Sequence, residues 1–251
     1  MERTQAKRLE RVLFGVAACA LLLLAQVLTG RVGHRAAALL PLEGIDPDGA
    51  FAALSVHHAV QMLLGIALIV VLGRLLHIRF YFQRGDSRVG LRYLGIYAAA
   101  FAAITLITHG QMALSHQLPR YAYPLDTRNV LGTLAFQLFL SGPAEEVIYR
   151  ALPVGVLCYA FGASVPLRGR VTLEIVLASA LFALAHATWS LSPWSFQADA
   201  FQLAYAFALG TIQGVAYQHS KSILYPILMH SVSNVLMVGG GYLFTALMGG
   251  A

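Results

Sequence analysis

The sequence predicts an all-α, polytopic transmembrane helical bundle of about seven spans, and three observations predict it. Apolar residues fill 58% of the 251 positions and charged residues only 11%, against about 25% charged in soluble domains. The charges are gathered between long apolar runs, which places those runs in a bilayer. The runs fall at roughly 12–29, 50–73, 94–114, 129–162, 172–189, 201–217 and 222–246. Most are near the ~20 residues that carry a helix across ~30 Å of hydrocarbon.

The first run follows a basic N-terminus as a signal peptide's would, but no small-x-small cleavage site precedes Arg31, so an uncleaved first span is expected. The fourth run, 129–162, is long for one crossing and contains Ser141-Gly142-Pro143, where one helix can stop and another start. A break there would give eight spans and invert everything downstream. With seven, the N-terminus, 74–93, 163–171 and 218–221 share one side and hold twelve Lys or Arg, among them Arg3, Lys7, Arg8 and Arg11. The opposite loops hold four: Arg31, Arg35, Arg120 and Arg128. This asymmetry places the N-terminus in the cytoplasm. It also explains the net charge of +6 as a topology signal that calls for no nucleic acid; the arginines of 74–93 could also meet anionic lipid. Cys19 and Cys158 sit in apolar runs without a CxxC partner and read as packing residues. Trp189 and Trp194 are expected to anchor a helix end at the interface. Without a repeat, linker or low-complexity tract, residues 1–251 form one membrane domain.

An ionised side chain inside a span costs a few kcal/mol unless it is paired or hydrated, so the positions that bear this cost are informative. All acidic residues but Glu145, Glu146 and Glu174 fall in loops or the N-terminal tail. Glu174 lies in the first turn of its span, where it can reach the interface or favour the helix N-terminus. Glu145 and Glu146 are flanked by apolar residues for a dozen positions. Helical spacing sets Glu146 and Arg150 at i and i+4, the acid first, as an ion pair, while Glu145 points about 100° away and stays free. Two later spans each pair a histidine with a residue four positions away: Phe182 with His186, and His230 with Asn234. His57, His58 and His109 lack such a pattern and read as hydrogen-bonded structural residues.

Taken in order, Glu-Glu-x-x-x-Arg at 145–150, Phe-x-x-x-His at 182–186 and His-x-x-x-Asn at 230–234 resemble the signature of the CAAX protease and bacteriocin-processing (CPBP, or Abi) family of intramembrane endopeptidases, related to type II CAAX prenyl endopeptidases. Gly210-Thr-Ile-Gln-Gly214, the polar turn at Ser220–Ser222 and Tyr-Pro-Ile-Leu-Met-His230 add to the likeness, which covers about 130–240. Two departures touch no reactive group: Tyr149-Arg150-Ala151 stands where the family often has Phe-Arg-Gly, and Pro143 precedes the first Glu by two positions instead of three.

Peptide hydrolysis needs an activated water, oxyanion stabilisation and a proton for the leaving amine. Glu145, the unpaired acid, is the expected general base. The resemblance implies that His186 orients the water, that His230 and Asn234 bind the oxyanion, and that Glu146, Arg150 and Phe182 support them. A zinc site on Glu145, His186 and His230 uses the same residues but is not favoured, because the ligands come from separate helices without a His-Glu-x-x-His. By resemblance the substrate is a prenylated CAAX-type peptide or a bacteriocin or leader-type peptide, and the compact chain resembles members of bacterial inner membranes. A non-hydrolytic scaffold or immunity protein is the alternative, and a transporter explains the buried charges less well, since no inverted repeat is visible. Measured from the cytoplasmic span ends at 1.5 Å per residue, His186 lies about 20 Å deep and His230 about 12 Å.

Overall fold

The computed structural model describes residues 2–191 and 193–248, with the backbone alone for 2–8 and 191. The side chains of Arg3, Lys7 and Arg8, counted above, therefore lie outside the described residues, as do Gly249–Ala251. Helix α1 (Glu2–Ala38) is followed by α2 (Ala52–Leu76) and α3 (Ser87–Leu114). A rod over 127–161 then comprises α4 (Thr127–Phe136), a π-turn (Gln137–Ser141), α5 (Gly142–Glu146), a second π-turn (Val147–Ala151) and α6 (Leu152–Phe161). Helices α7 (Leu173–Leu184), α8 (Ala200–Ser220) and α9 (Leu224–Met248) complete the bundle. Each rod coincides with one apolar run of the sequence. Four helices, Leu9–Ala38, α2, α3 and α9, are long and apolar enough to cross a membrane.

Acidic loop residues start several of these helices. Asp86, Asp126 and Asp199 cap α3, α4 and α8 by accepting from the backbone N–H three residues on, at 2.8–3.0 Å, each satisfying an amide that a helix N-terminus leaves open. Asp46 accepts from Ala50, Phe51 and Ala52 N–H at 2.7–2.8 Å and so fixes the start of α2. Burial alone would raise the Asp46 pKa, but these three bonds hold it below the usual carboxylate range.

The rod over 127–161 passes through Ser141-Gly142-Pro143 in helical conformation, with Gly142 at φ −55°, ψ −54°, so the break required for eight spans does not occur. The two prolines explain how. Pro143 and Pro153 cannot bond the carbonyls of Phe139 and Tyr149 and would clash with them in an α-helix. Each of those carbonyls lies inside a π-turn, whose wider winding accommodates the ring. Leu152 N–H accordingly reaches back five residues to the Val147 carbonyl.

Helix α7 departs from expectation. Its 12 residues span about 18 Å at 1.5 Å each, and the chain beyond Leu184 turns into an antiparallel hairpin, β3 (Thr188–Leu191) with β4 (Trp194–Gln197). A shorter antiparallel pair, β1 (Pro166–Arg168) with β2 (Val171–Thr172), precedes α7. Trp189 and Trp194 thus stand on the β3–β4 hairpin and not at a helix end, with Trp194 72% exposed. Glu174 stands in the first turn of α7, as expected. It is fully buried and accepts from Ser164, Gln218 Nε2 at 2.7 Å and Val165 N–H at 3.2 Å, while Cys158 Sγ approaches it at 3.3 Å.

Glycines set the closest helix approaches. A Cβ at Gly214 would lie 2.6 Å from Ile175 and one at Gly210 3.2 Å from Ser179, so the Gly-x-x-x-Gly of α8 is what lets α7 lie against it. Gly132 admits the Phe51 ring and Gly65 admits Ile148, at 2.4 and 2.5 Å from the position of an added Cβ, which clamps α2 to the interrupted rod at two points.

Candidate active site

Between the two π-turns, α5 presents Glu145 and Glu146 in different directions. Glu146 is fully buried, and its Oε2 accepts from Arg150 Nε at 3.2 Å. Its other oxygen, Oε1, accepts from His230 Nδ1 on α9 at 2.9 Å. Arg150, also fully buried, donates from a second nitrogen to Gln213 Oε1 at 3.3 Å and lies 5.6 Å from the centre of the Phe182 ring. The i, i+4 pair expected from spacing therefore forms, with a histidine and a glutamine completing it.

Glu145 keeps 19% of its side chain exposed and opens into a cavity of about 620 Å³ that His58, His186, His230, Asn234, Ser141 and Phe182 also line. It is not the free carboxylate that helical spacing suggests. Oε1 lies 3.3 Å from His58 Nε2 and accepts from Ser141 Oγ at 3.4 Å; Oε2 is 3.7 Å from His230 Nε2.

The histidine protons follow from their partners. His186 Nδ1 is 3.0 Å from the Phe182 carbonyl and His58 Nδ1 2.9 Å from the Leu54 carbonyl. A carbonyl only accepts, so each Nδ1 carries a hydrogen, and in neutral His186 Nε2 is the accepting nitrogen. Asn234 Nδ2 donates to Gln137 Oε1 at 2.8 Å and to Ser141 Oγ at 3.0 Å. Both amide hydrogens are therefore committed, and a substrate oxygen would have to replace one of those acceptors.

His186 lies just beyond the end of α7, yet it lines the same cavity as His230. The Phe182 ring closes the difference in depth, its centre 4.8 Å from that of His186 and 6.2 Å from that of His230. His58, expected to be a structural histidine, Ser141, expected at a helix break, Gln213, between the two glycines of α8, and Gln137 also reach these groups. Among the described residues no group of three His, Cys, Asp or Glu is arranged to hold a metal ion.

A Cβ at Gly142 would meet Ser231 Oγ at 2.5 Å and Ser231 N at 3.0 Å, so this glycine is what seats α5 against α9. Gly142→Ala should cost about 1–3 kcal/mol by overpacking, measured by denaturation in detergent. Gly110→Ala, where an added Cβ meets nothing, should cost nothing.

Residues 127–236 match the family of type II CAAX prenyl endopeptidases described as Rce1-like. Over these residues the chain is similar to that family. The Rce1-like segment runs from the start of α4 into α9 and contains Glu145, Glu146, Arg150, Phe182, His186, His230 and Asn234, while α1, α2 and α3 lie outside it. No curated protein and no solved structure matches the chain.

Proposed function

We propose that the chain is an intramembrane endopeptidase in which Glu145 activates a water against a peptide bond held in the cavity. The observation that carries this reading is the cavity-facing Glu145 carboxylate, with His186, His230 and Asn234 around the same space. A water hydrogen passes to Glu145 Oε2 as the water oxygen bonds to the carbonyl carbon and the C=O electron pair moves onto oxygen. His186 Nε2 accepts the second water hydrogen and orients the attack. His230 Nε2–H and the Asn234 amide, released from Ser141 or Gln137, stabilise the oxyanion. The C–N bond then breaks, and Glu145 returns its proton to the departing nitrogen. Glu146 and Arg150 hold His230 in place. No metal enters these steps.

Phe101, Ile104, Leu209 and Met237 give the cavity an apolar wall suited to an extended peptide or to a lipid chain attached to one. The test is cleavage of a fluorogenic peptide panel in bilayers, with and without a farnesylated CAAX peptide and with and without chelator, by wild-type protein and Glu145→Gln. Cleavage that requires Glu145 and persists in chelator supports the reading. Cleavage lost in chelator and regained with zinc would overturn the metal-free part.

We further propose a bacterial inner-membrane protein of seven crossings with a cytoplasmic N-terminus, as its basic loops favour. The α2–α3 turn packs on the α8–α9 turn, Gly85 lying against Ser220. At the opposite end Asp48 meets Asn129 and Gly33 meets His57. Cavity residues Leu54, Thr108, Phe136 and Phe201 belong to that opposite half, so the peptide would enter from the exoplasmic side. In a chain lacking Cys19 and Cys158, an impermeant maleimide added to intact cells should label Gln117→Cys and not Gln83→Cys; the reverse pattern would turn the protein over.

A further inference from the structure

The residue nearest Glu145 Oε1 comes from α2, outside the Rce1-like segment. Its ring is fixed from both sides. His58 Nδ1 donates to the Leu54 carbonyl, and Nε2 faces a carboxylate oxygen at 3.3 Å. Two acceptors cannot face each other at that distance without a hydrogen between them, so the Nε2–Oε1 axis holds a proton.

Helix α2 is built to deliver this ring. Its start is fixed by Asp46, and its glycine-mediated contacts, at Phe51 and at Gly65, bracket His58 along the helix. The Phe136 ring stands edge-on to the imidazole, centres 4.9 Å apart. The other titratable groups facing the pair are His57, 5.0 Å away ring to ring, His34 beyond it on α1, His186, and His230 with Glu146 and Arg150 behind it.

Resting on the reading of Glu145 as base, we propose that His58 is a positioning residue: it carries the axis proton on Nε2 and holds Oε1 in place, so that Oε2 alone takes and returns the proton of water. His58 undergoes no net change in the cycle.

Two measurements test this separately. In ¹⁵N-histidine spectra of the full-length protein in detergent, Glu145→Gln should shift the His58 Nε2 signal and leave that of Nδ1 in place. A His58 spectrum unchanged by Glu145→Gln would overturn the proposal whatever the protein cleaves. In the peptide assay His58→Leu should lower kcat about 10–100-fold, the size of one hydrogen bond to a charged group, with KM nearly unchanged. His58→Gln, whose amide also donates to Oε1, should keep most of kcat. Wild-type kcat in His58→Leu would overturn it. Full cleavage by Glu145→Gln would instead sink the reading of Glu145 as the base, and the spectra would still report on the pair.

Discussion

Glu145→Gln should fold as the wild type does and lose about 10²–10⁴-fold in kcat, the range for removal of a general base. Folding should survive because Glu145 does not hold the bundle together. Its side chain faces the cavity, and its contacts to Ser141, His58 and His230, at 3.3–3.7 Å, are ones a carboxamide of the same shape can largely keep. Activity should not survive, because an amide oxygen cannot take a proton from water near neutral pH. Glu145→Asp makes the argument sharper. It keeps the acid but draws the oxygens back by one methylene, away from His58 and His230, so it should also be slow while remaining as stable as Glu145→Gln. Equal thermal midpoints with cleavage in the wild type alone would meet the expectation. Cleavage by all three would remove Glu145 from the chemistry, and cleavage by none would return weight to a non-hydrolytic scaffold.

The all-helical bundle was legible in the sequence because long apolar runs form helices, and four of these helices are long and apolar enough to cross a membrane. The Glu146–Arg150 pair was legible because helical spacing is local, and it survives even with a π-turn between its members. The His186 and His230 segments were legible through their pattern alone. Their meeting in one cavity depends on Phe182 and on the way α7 ends, which no spacing rule encodes. His58 was passed over for the same reason: its contact with Glu145 spans 87 positions, and a histidine in an apolar run looks the same whether it bonds its own helix or another. Here it does both. Glu174 stands in the first turn of its helix as expected, but its burial under Gln218 and Ser164 is not encoded by spacing. Apolar content also concealed the β3–β4 hairpin, since the residues before Trp189 continue the run that α7 begins. The π-turns did leave a trace, two prolines ten positions apart, which reads as a helix break until the wider turn is considered.

Arg150→Met should destabilise the protein by about 3–5 kcal/mol, the usual cost of leaving one partner of a buried ion pair uncompensated. Arg150 and Glu146 are both without solvent exposure, so the carboxylate left behind cannot reach water. His230 Nδ1 would be its remaining hydrogen-bond partner, and Gln213 Oε1 would lose its donor as well. Replacing both charges removes the imbalance, since apolar groups of similar volume often substitute for a buried pair at little cost. Glu146→Met with Arg150→Met should therefore regain most of the lost stability. It should not regain cleavage, because without Glu146 nothing fixes His230 Nδ1, and the Nε2–H aimed at the substrate loses its orientation. Denaturation in detergent and peptide cleavage, run on the two single variants and the double variant, separate these roles. A double variant that is stable but inactive fits a pair whose function is to hold His230, and one that cleaves at the wild-type rate would reduce the pair to a structural clamp. Single variants as stable as the wild type would mean that the pair is hydrated, and the burial argument for both residues would fail.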